Sequence, residues 1–302
     1  MFPYLFLRHP APSWRRERVE TPDGDFIDFD WFEPPSPEAN APVLILFHGL
    51  EGSSASHYVV PILNAAAQRG WRGVVPHFRG CSGEPNRLPR AYHSGDAAEI
   101  DWMIDAVRAR SGSAPLRAVG VSLGGNALLD WLGLEADKST RWLRAAAAIS
   151  APLDLVASGT ALDQGFNRLY CRNFLSTLVP KALDKAQRFP GLYDVNKLKT
   201  VRTIREFDDL VTAPLHGFRD VVDYWTRASS KPHLKSVRLP TLVLNALNDP
   251  FVPGESLPGP AEVSDAVTLE QPAHGGHVGF LSGPFPGRLN WLTGRLLHFF
   301  DR

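Results

Sequence analysis

Arg117–Val121 (RAVGV), Ser122 and Leu123–Leu134 (LGGNALLDWLGL) read as a buried strand, one exposed hydroxyl and a helix. Across the junction runs Gly120-Val121-Ser122-Leu123-Gly124, followed by a further glycine, Gly125. Glycines on both sides of a serine let strand and helix approach closely while the hydroxyl is pushed out at a sharp turn. The G-x-S-x-G pattern is short enough to arise by chance, and the plain alternative is a tight glycine turn with an idle hydroxyl. Its position between a strand and a helix is what makes it informative.

The rhythm extends in both directions. Upstream, Val43–Phe47 (VLILF) and Arg72–Pro76 are short apolar runs of the kind buried on both faces of a sheet. Tyr58–Arg69 has helical period and stops at Gly70, a good helix terminator. Gly95–Arg110 carries Ile100, Met103, Ile104 and Val107 on one stripe. Glu17–Glu20 and Phe26–Phe32 flank Pro22-Asp23-Gly24, a hairpin signal. Downstream, Ala145–Ile149 is a strand, and Thr241–Ala246 and Ala266–Gln271 resume the pattern before a closing helix, Leu289–Phe300. Strands alternating with helices predict an α/β fold with a mostly parallel central sheet and helices on both faces.

From Ala151 to Val237 the alternation stops. Pro180, Pro190 and Pro214 are expected to break this stretch into short helices. The predicted organisation is therefore a discontinuous core, 1–150 and 238–302, with a helical cap or lid at 151–237. An insertion leaving from the C-terminal edge of a parallel sheet can lie over Ser122. Its residues Phe166, Leu169, Tyr170, Phe174, Leu175 and Leu178 recur at helical spacing. Most are expected to pack the cap onto the core, and part of the stripe to line an acyl pocket.

Composition excludes other classes. A chain of 302 residues buries about three quarters of its extended surface, enough for a core without staples. Hydrophobic residues at 44% and charged residues at 21% exclude disordered and fibrous chains. Lys+Arg 32 balances Asp+Glu 32, so no global field collects nucleic acid. Cys81 and Cys171 make no disulfide framework, which suits a reducing compartment. Met1–Leu7 is apolar but lacks the preceding basic stretch of a signal peptide, and no apolar run reaches the length of a membrane span. The expected location is cytoplasmic.

A serine hydroxyl attacks only when a base takes its proton and a third group holds the base. In the chain order Ser…Asp…His, the acid follows one late strand and the histidine the next. Asp249 follows Thr241–Ala246, and His274-Gly275-Gly276-His277 follows Ala266–Gln271. His277 is favoured as the base because two glycines before it allow a tight loop; His274 is the alternative. The amides of Leu123, after the serine, and Leu50, in the glycine loop His48–Gly52, are the candidate oxyanion donors. Asp154, Asp208 and Asp209 read as caps and surface charges. His48, His57, His77 and His93 have no accompanying metal motif, so neither metal nor cofactor is expected.

Together, His48–Ser53 (HGLEGS), His77–Asn86 (HFRGCSGEPN), Tyr92–Gly95 (YHSG), Ser122–Asn126 (SLGGN), Glu206–Asp209 (EFDD), Asp249–Phe251 (DPF) and His274–Phe280 (HGGHVGF) resemble the YheT-like esterases. That branch of the α/β hydrolases is related to mammalian ABHD lipid hydrolases. The similarity runs from Leu5 to the last helix. It implies a serine carboxylesterase with the triad Ser122, Asp249 and His277, acting on a small-molecule ester, lipid-derived esters included. The chain departs from the wider superfamily where His77 replaces the acid of an Asp-x-Arg-Gly-x-Gly pattern, so Arg79 is expected to fasten loops. Relatives also carry a further stretch ahead of the position matching Met1, which implies a shorter entrance here or a start assigned late.

Overall fold

The computed structural model describes residues 13–34, 38, 40–283, 287–288 and 290–301, so Met1–Leu7 and Leu289 lie outside the described residues. Eight strands form one sheet: β1 (Arg15–Glu20), β2 (Phe26–Phe32), β3 (Val43–Phe47), β4 (Arg72–Pro76), β5 (Leu116–Val121), β6 (Leu143–Ile149), β7 (Thr241–Leu244) and β8 (Val267–Glu270). Their order is β1-β2-β4-β3-β5-β6-β7-β8. The hairpin β1–β2 and the β2–β4 pair are antiparallel, and the other pairs are parallel.

Parallel neighbours need long crossovers. Helices α1 (Val59–Ala67), α2 (Ala97–Ser111) and α3 (Leu123–Leu134) supply the early ones. A further helix, α4 (Ala136–Trp142), stands between α3 and β6. Its sequence ADKSTRW has no apolar stripe, and it buries only Ser139. Nothing in its sequence pattern marks it as a helix.

Strand β3 shows how the sheet is covered. Val43, Ile45 and Phe47 pack with Ile100, Met103 and Ile104 of α2 and with Leu128 and Leu129 of α3. Leu44 and Leu46 point the other way, into Val59, Ile62 and Leu63 of α1 and Leu292 and Leu296 of the last helix. The side-chain period of two thus feeds two cores, each buried Leu or Ile contributing about 1.5–3 kcal/mol.

Residues 151–237 are helical, with α5 (Leu155–Leu162), α6 (Arg168–Arg188), α7 (Val221–Arg227) and short turns between them; the chain closes with α8 (Asn290–Phe300). The segment has its own apolar cluster, built on Leu155, Leu175, Phe207, Tyr224 and Trp225. Pro180 does not break it. The residue sits inside the 21-residue α6, although an interior proline costs about 3 kcal/mol. Leu175 and Ala182 are buried on either side of it, so packing of the flanking turns carries the helix through. Pro190 follows the end of α6, and Pro214 lies in a first helical turn, where no N–H is needed.

Lys185 fastens α6 to the core. Its buried ammonium donates to Asn86 Oδ1 at 2.8 Å, Leu88 O at 3.0 Å and Arg90 O at 2.9 Å. Burial pushes its pKa down to about 8. Asn86 in turn donates to Asp25 at 2.6 Å. Arg79 reaches Asp23 at 2.9 Å and Asp25 at 3.0 Å, and also pairs with Glu99, so it does join loops. His77, which stands in the place of that acid, is paired with a carboxylate from β2. Asp30 Oδ2 lies 2.8 Å from His77 Nε2 and accepts from Ser54 Oγ at 2.6 Å. Burial would raise the Asp30 pKa, but hydrogen bonds from Arg16, His77 and Ser54 hold it well below its usual value.

Candidate active site

Ser122 stands at the turn from β5 into α3 with φ 53°, a left-handed conformation that costs a non-glycine residue about 1–3 kcal/mol. Two glycines make the turn possible. A Cβ on Gly120 would meet the Gly124 backbone at 2.4 Å, and one on Gly124 would meet His48 O at 2.5 Å. The Ser122 N–H donates to Ile149 O at 2.8 Å, fixing the turn to β6.

His277 Nε2 lies 3.1 Å from Ser122 Oγ, and His277 Nδ1 lies 2.9 Å from Asp249 Oδ2. The Asp249 carboxylate is fully buried and accepts at Oδ1 from the Phe251 N–H at 2.9 Å. Of the two histidines in the loop, His277 is the one brought to Ser122; His274 is exposed. The loop is held from three sides. Asn248 Oδ1 accepts from the Gly275 N–H at 3.0 Å and the Gly276 N–H at 2.9 Å. Ser150 Oγ accepts from the Val278 N–H at 3.2 Å, and the Phe251 ring lies 4.5 Å from the imidazole.

The glycine loop after β3 passes beside the serine, since a Cβ on Gly49 would meet Ser122 Cβ at 3.2 Å. His48 pins that loop, with Nδ1 2.8 Å from Gly49 O and Nε2 accepting from the Phe78 N–H at 3.1 Å. Complete burial drives the His48 pKa down to about 3, so the ring stays neutral. Leu50 and Leu123 both line the cavity at Ser122.

That cavity has a volume of about 570 Å³ and is mostly apolar. The sheet-end loops and the helical segment both line it. The six residues of the predicted stripe have separate fates: Phe166 lies in the turn before α6, and 100° per residue spreads the other five around the helix. Phe174 and Leu178 line the cavity, and Leu175 is buried in the segment's own cluster. Tyr170 meets Phe251 edge-on at 4.7 Å. Phe166 and Leu169 are exposed, at 76% and 48%.

Asp154 caps α5, and Asp209 accepts from the Val221 N–H at the start of α7. Asp208 is not a surface charge. It lines the cavity and takes hydrogen bonds from Thr212 Oγ1 at 2.7 Å and Trp225 Nε1 at 2.8 Å. Burial raises its pKa to about 6. Its apolar neighbours Phe207 and Trp225 come from different parts of the segment, so no local pattern announced the burial. Among the described residues, no three His, Cys, Asp or Glu side chains are grouped to hold a metal ion.

Several supporting contacts are not foreseeable from the sequence. Asn126 is fully buried in α3, donating to Ala228 O at 2.7 Å and accepting from the Ser230 N–H at 3.0 Å. It therefore ties the first turn after Ser122 to the end of the helical segment. Tyr58 accepts from the Gly49 N–H nine residues back, while Tyr92 and Ser150 act on loops far away in the chain. Nothing in the sequence around them indicates these partners.

A family model of the alpha/beta hydrolase fold matches residues 42–284. The chain is 43% identical over 300 residues to YheT of Escherichia coli (strain K12), covering 98% of this chain and 87% of that one. The chain belongs to the α/β hydrolase family. It is also 33% identical to phospholipase ABHD3 of Bos taurus, over 94% of this chain and 70% of the relative. In three dimensions it matches the esterase Pf2001 of Pyrococcus furiosus with a TM-score of 0.59 at 14% identity, covering 97% and 93% of the two chains. As an α/β hydrolase with these relatives, it is a hydrolase enzyme of the esterase–lipase type. No helix among the described residues is long and apolar enough to cross a membrane.

Proposed function

We propose that this hydrolase cleaves small or short-chain carboxylic esters through an acyl-enzyme on Ser122, with 151–237 as the cap over the site. Ser122 Oγ attacks the acyl carbon and gives its proton to His277 Nε2. Asp249 holds the Nδ1–H and stabilises the imidazolium, while the Leu50 and Leu123 amides receive the oxyanion. The tetrahedral adduct collapses, the alcohol leaves with the proton from His277, and a water activated by the same nitrogen releases the acid. The observation that carries this reading is the unbroken line from Asp249 through His277 to Ser122, at 2.9 and 3.1 Å, ending at an apolar cavity.

The test is labelling by a fluorophosphonate together with hydrolysis of a nitrophenyl ester. Both should vanish in Ser122→Ala; turnover near the wild-type rate would sink the assignment. A lipase, thioesterase or acyltransferase would use the same acyl-enzyme. The similarity to phospholipase ABHD3 and the apolar lining favour an acylglycerol or phospholipid as the second reading. A panel of acyl-chain lengths decides between them. The free, buried Cys81 and Cys171 support a cytoplasmic location.

A further inference from the structure

Glu51, next to Leu50, has φ 55°, a conformation unfavourable for a side chain of its kind. Both amides flanking Leu50 are already bound to tyrosines. The Gly49 N–H donates to Tyr58 Oη at 2.8 Å, and the Glu51 N–H donates to Tyr92 Oη at 2.9 Å. Tyr92 returns the contact, its hydroxyl donating to Glu51 Oε1 at 2.9 Å. The other carboxylate oxygen of Glu51 meets Lys181 Nζ of α6 at 2.8 Å. The tyrosine ring is itself fixed, stacked on Phe78 with centroids 5.3 Å apart and planes 14° apart. The Phe78 N–H binds His48, so the clamp and the loop share one support. Among the described residues the Leu50 N–H has no acceptor, and Leu50 lines the cavity with Ser122.

We propose that Tyr92 is a positioning residue for the reaction: by bracketing Glu51 it holds the loop in its left-handed turn and aims the Leu50 amide at the oxyanion. This rests on the reading of Leu50 as an oxyanion donor. Tyr92 itself touches neither the serine nor the acyl carbon. Its effect should therefore fall on the tetrahedral state and leave substrate binding nearly unchanged.

Tyr92→Phe removes the hydroxyl and keeps the stacked ring. The expected result is a kcat about tenfold lower with KM within twofold, a fraction of the 10²–10³ lost when a whole oxyanion donor is removed. The Kd of a trifluoromethyl ketone, which forms a tetrahedral adduct on the serine, should rise about tenfold. The Kd of an unreactive amide analogue of the same shape should stay within twofold. Constants are referred to sites titrated by excess fluorophosphonate, so partial unfolding does not enter them. In the Tyr92→Phe background, Glu51→Gly should recover at least threefold in kcat, because glycine adopts the turn without a clamp.

Wild-type kcat and ketone affinity in Tyr92→Phe would overturn the proposal. So would equal losses of ketone and amide affinity, or no recovery with glycine. Ser122→Ala is run in parallel. Turnover surviving there would mean that the serine reading has failed, whereas a dead Ser122→Ala beside an unaffected Tyr92→Phe would reject only the positioning role.

Discussion

The loops at the ends of the strands and the helical segment line one cavity but are built on different terms. All five non-glycine residues with positive φ among the described residues, Glu51, Ser122, Ser150, Val278 and Phe280, lie in the loops. Within 151–237 positive φ occurs only at Gly165, Gly191 and Gly217. Strain of about 1–3 kcal/mol per residue persists only where the surroundings over-determine a conformation. Here those surroundings are the hydrogen bonds of Tyr92, Ile149 and the Ser150–Val278 pair. The helices carry no such cost and meet the core through side chains such as Lys185. The difference teaches that the turns around Ser122 depend on directional hydrogen bonds, while the helical wall of the cavity is held mainly by side-chain packing.

The comparison breaks first at the serine. Ser122→Ala should lower kcat by about 10⁵–10⁶, with Tm within about 2 °C, measured by ester hydrolysis and calorimetry. His277→Ala should come close to that loss, and Asp249→Asn should cost about 10⁴ by disturbing the tautomer. His274→Ala, in the same loop but exposed, should stay within threefold. A reversed severity for the two histidines would place the base in the wrong half of the loop.

Changes in the helical segment should alter selection and spare reactivity. Leu178→Trp, which fills part of the cavity, should move the preferred acyl chain shorter. Each methylene excluded should lower kcat/KM for longer esters by about fourfold, from ~0.8 kcal/mol per CH₂. Labelling of Ser122 by a small fluorophosphonate should be unchanged. An unaltered chain-length profile in a well-folded variant would remove the segment from substrate selection.

The smallest effect is a pH dependence that belongs to the segment. The Asp208 pKa is raised to about 6 in the fold, against about 3.9 unfolded. Its contribution to stability is complete below about pH 4 and is lost as pH rises through 6. Asp208→Asn removes this decline. The Tm of the variant minus that of the wild type should therefore grow by about 2–4 °C between pH 4 and 7.5. A constant difference across that range would show that Asp208 does not titrate in the fold.

Legibility in the sequence followed the range of the interactions. Val43–Phe47, Arg72–Pro76 and the stripe Ile100, Met103, Ile104, Val107 announce their elements because burial imposes a period on neighbouring residues. The stations of Ser122, Asp249 and His277 could be placed because each follows a strand. Helix α4 leaves no such mark, because a solvated helix needs no stripe. Pro180 signals a break that does not occur, because its cost is local while the packing that outweighs it is spread over α6.

By itself the sequence determined the alternation of strands and helices, the glycine turn at Ser122 and the order of candidate groups, since these rest on steric rules acting within a few residues. Only the tertiary structure decided that His277 rather than His274 reaches Ser122. Likewise it alone decided that Asp208 faces a cavity, that Tyr92 holds Glu51 and that Asn126 grips Ala228. Each of these depends on side chains that are distant in the chain and meet only when the sheet is assembled. Directional hydrogen bonds inside a packed core leave no period in the sequence, because their geometry is set by the fold and not by their neighbours along the chain.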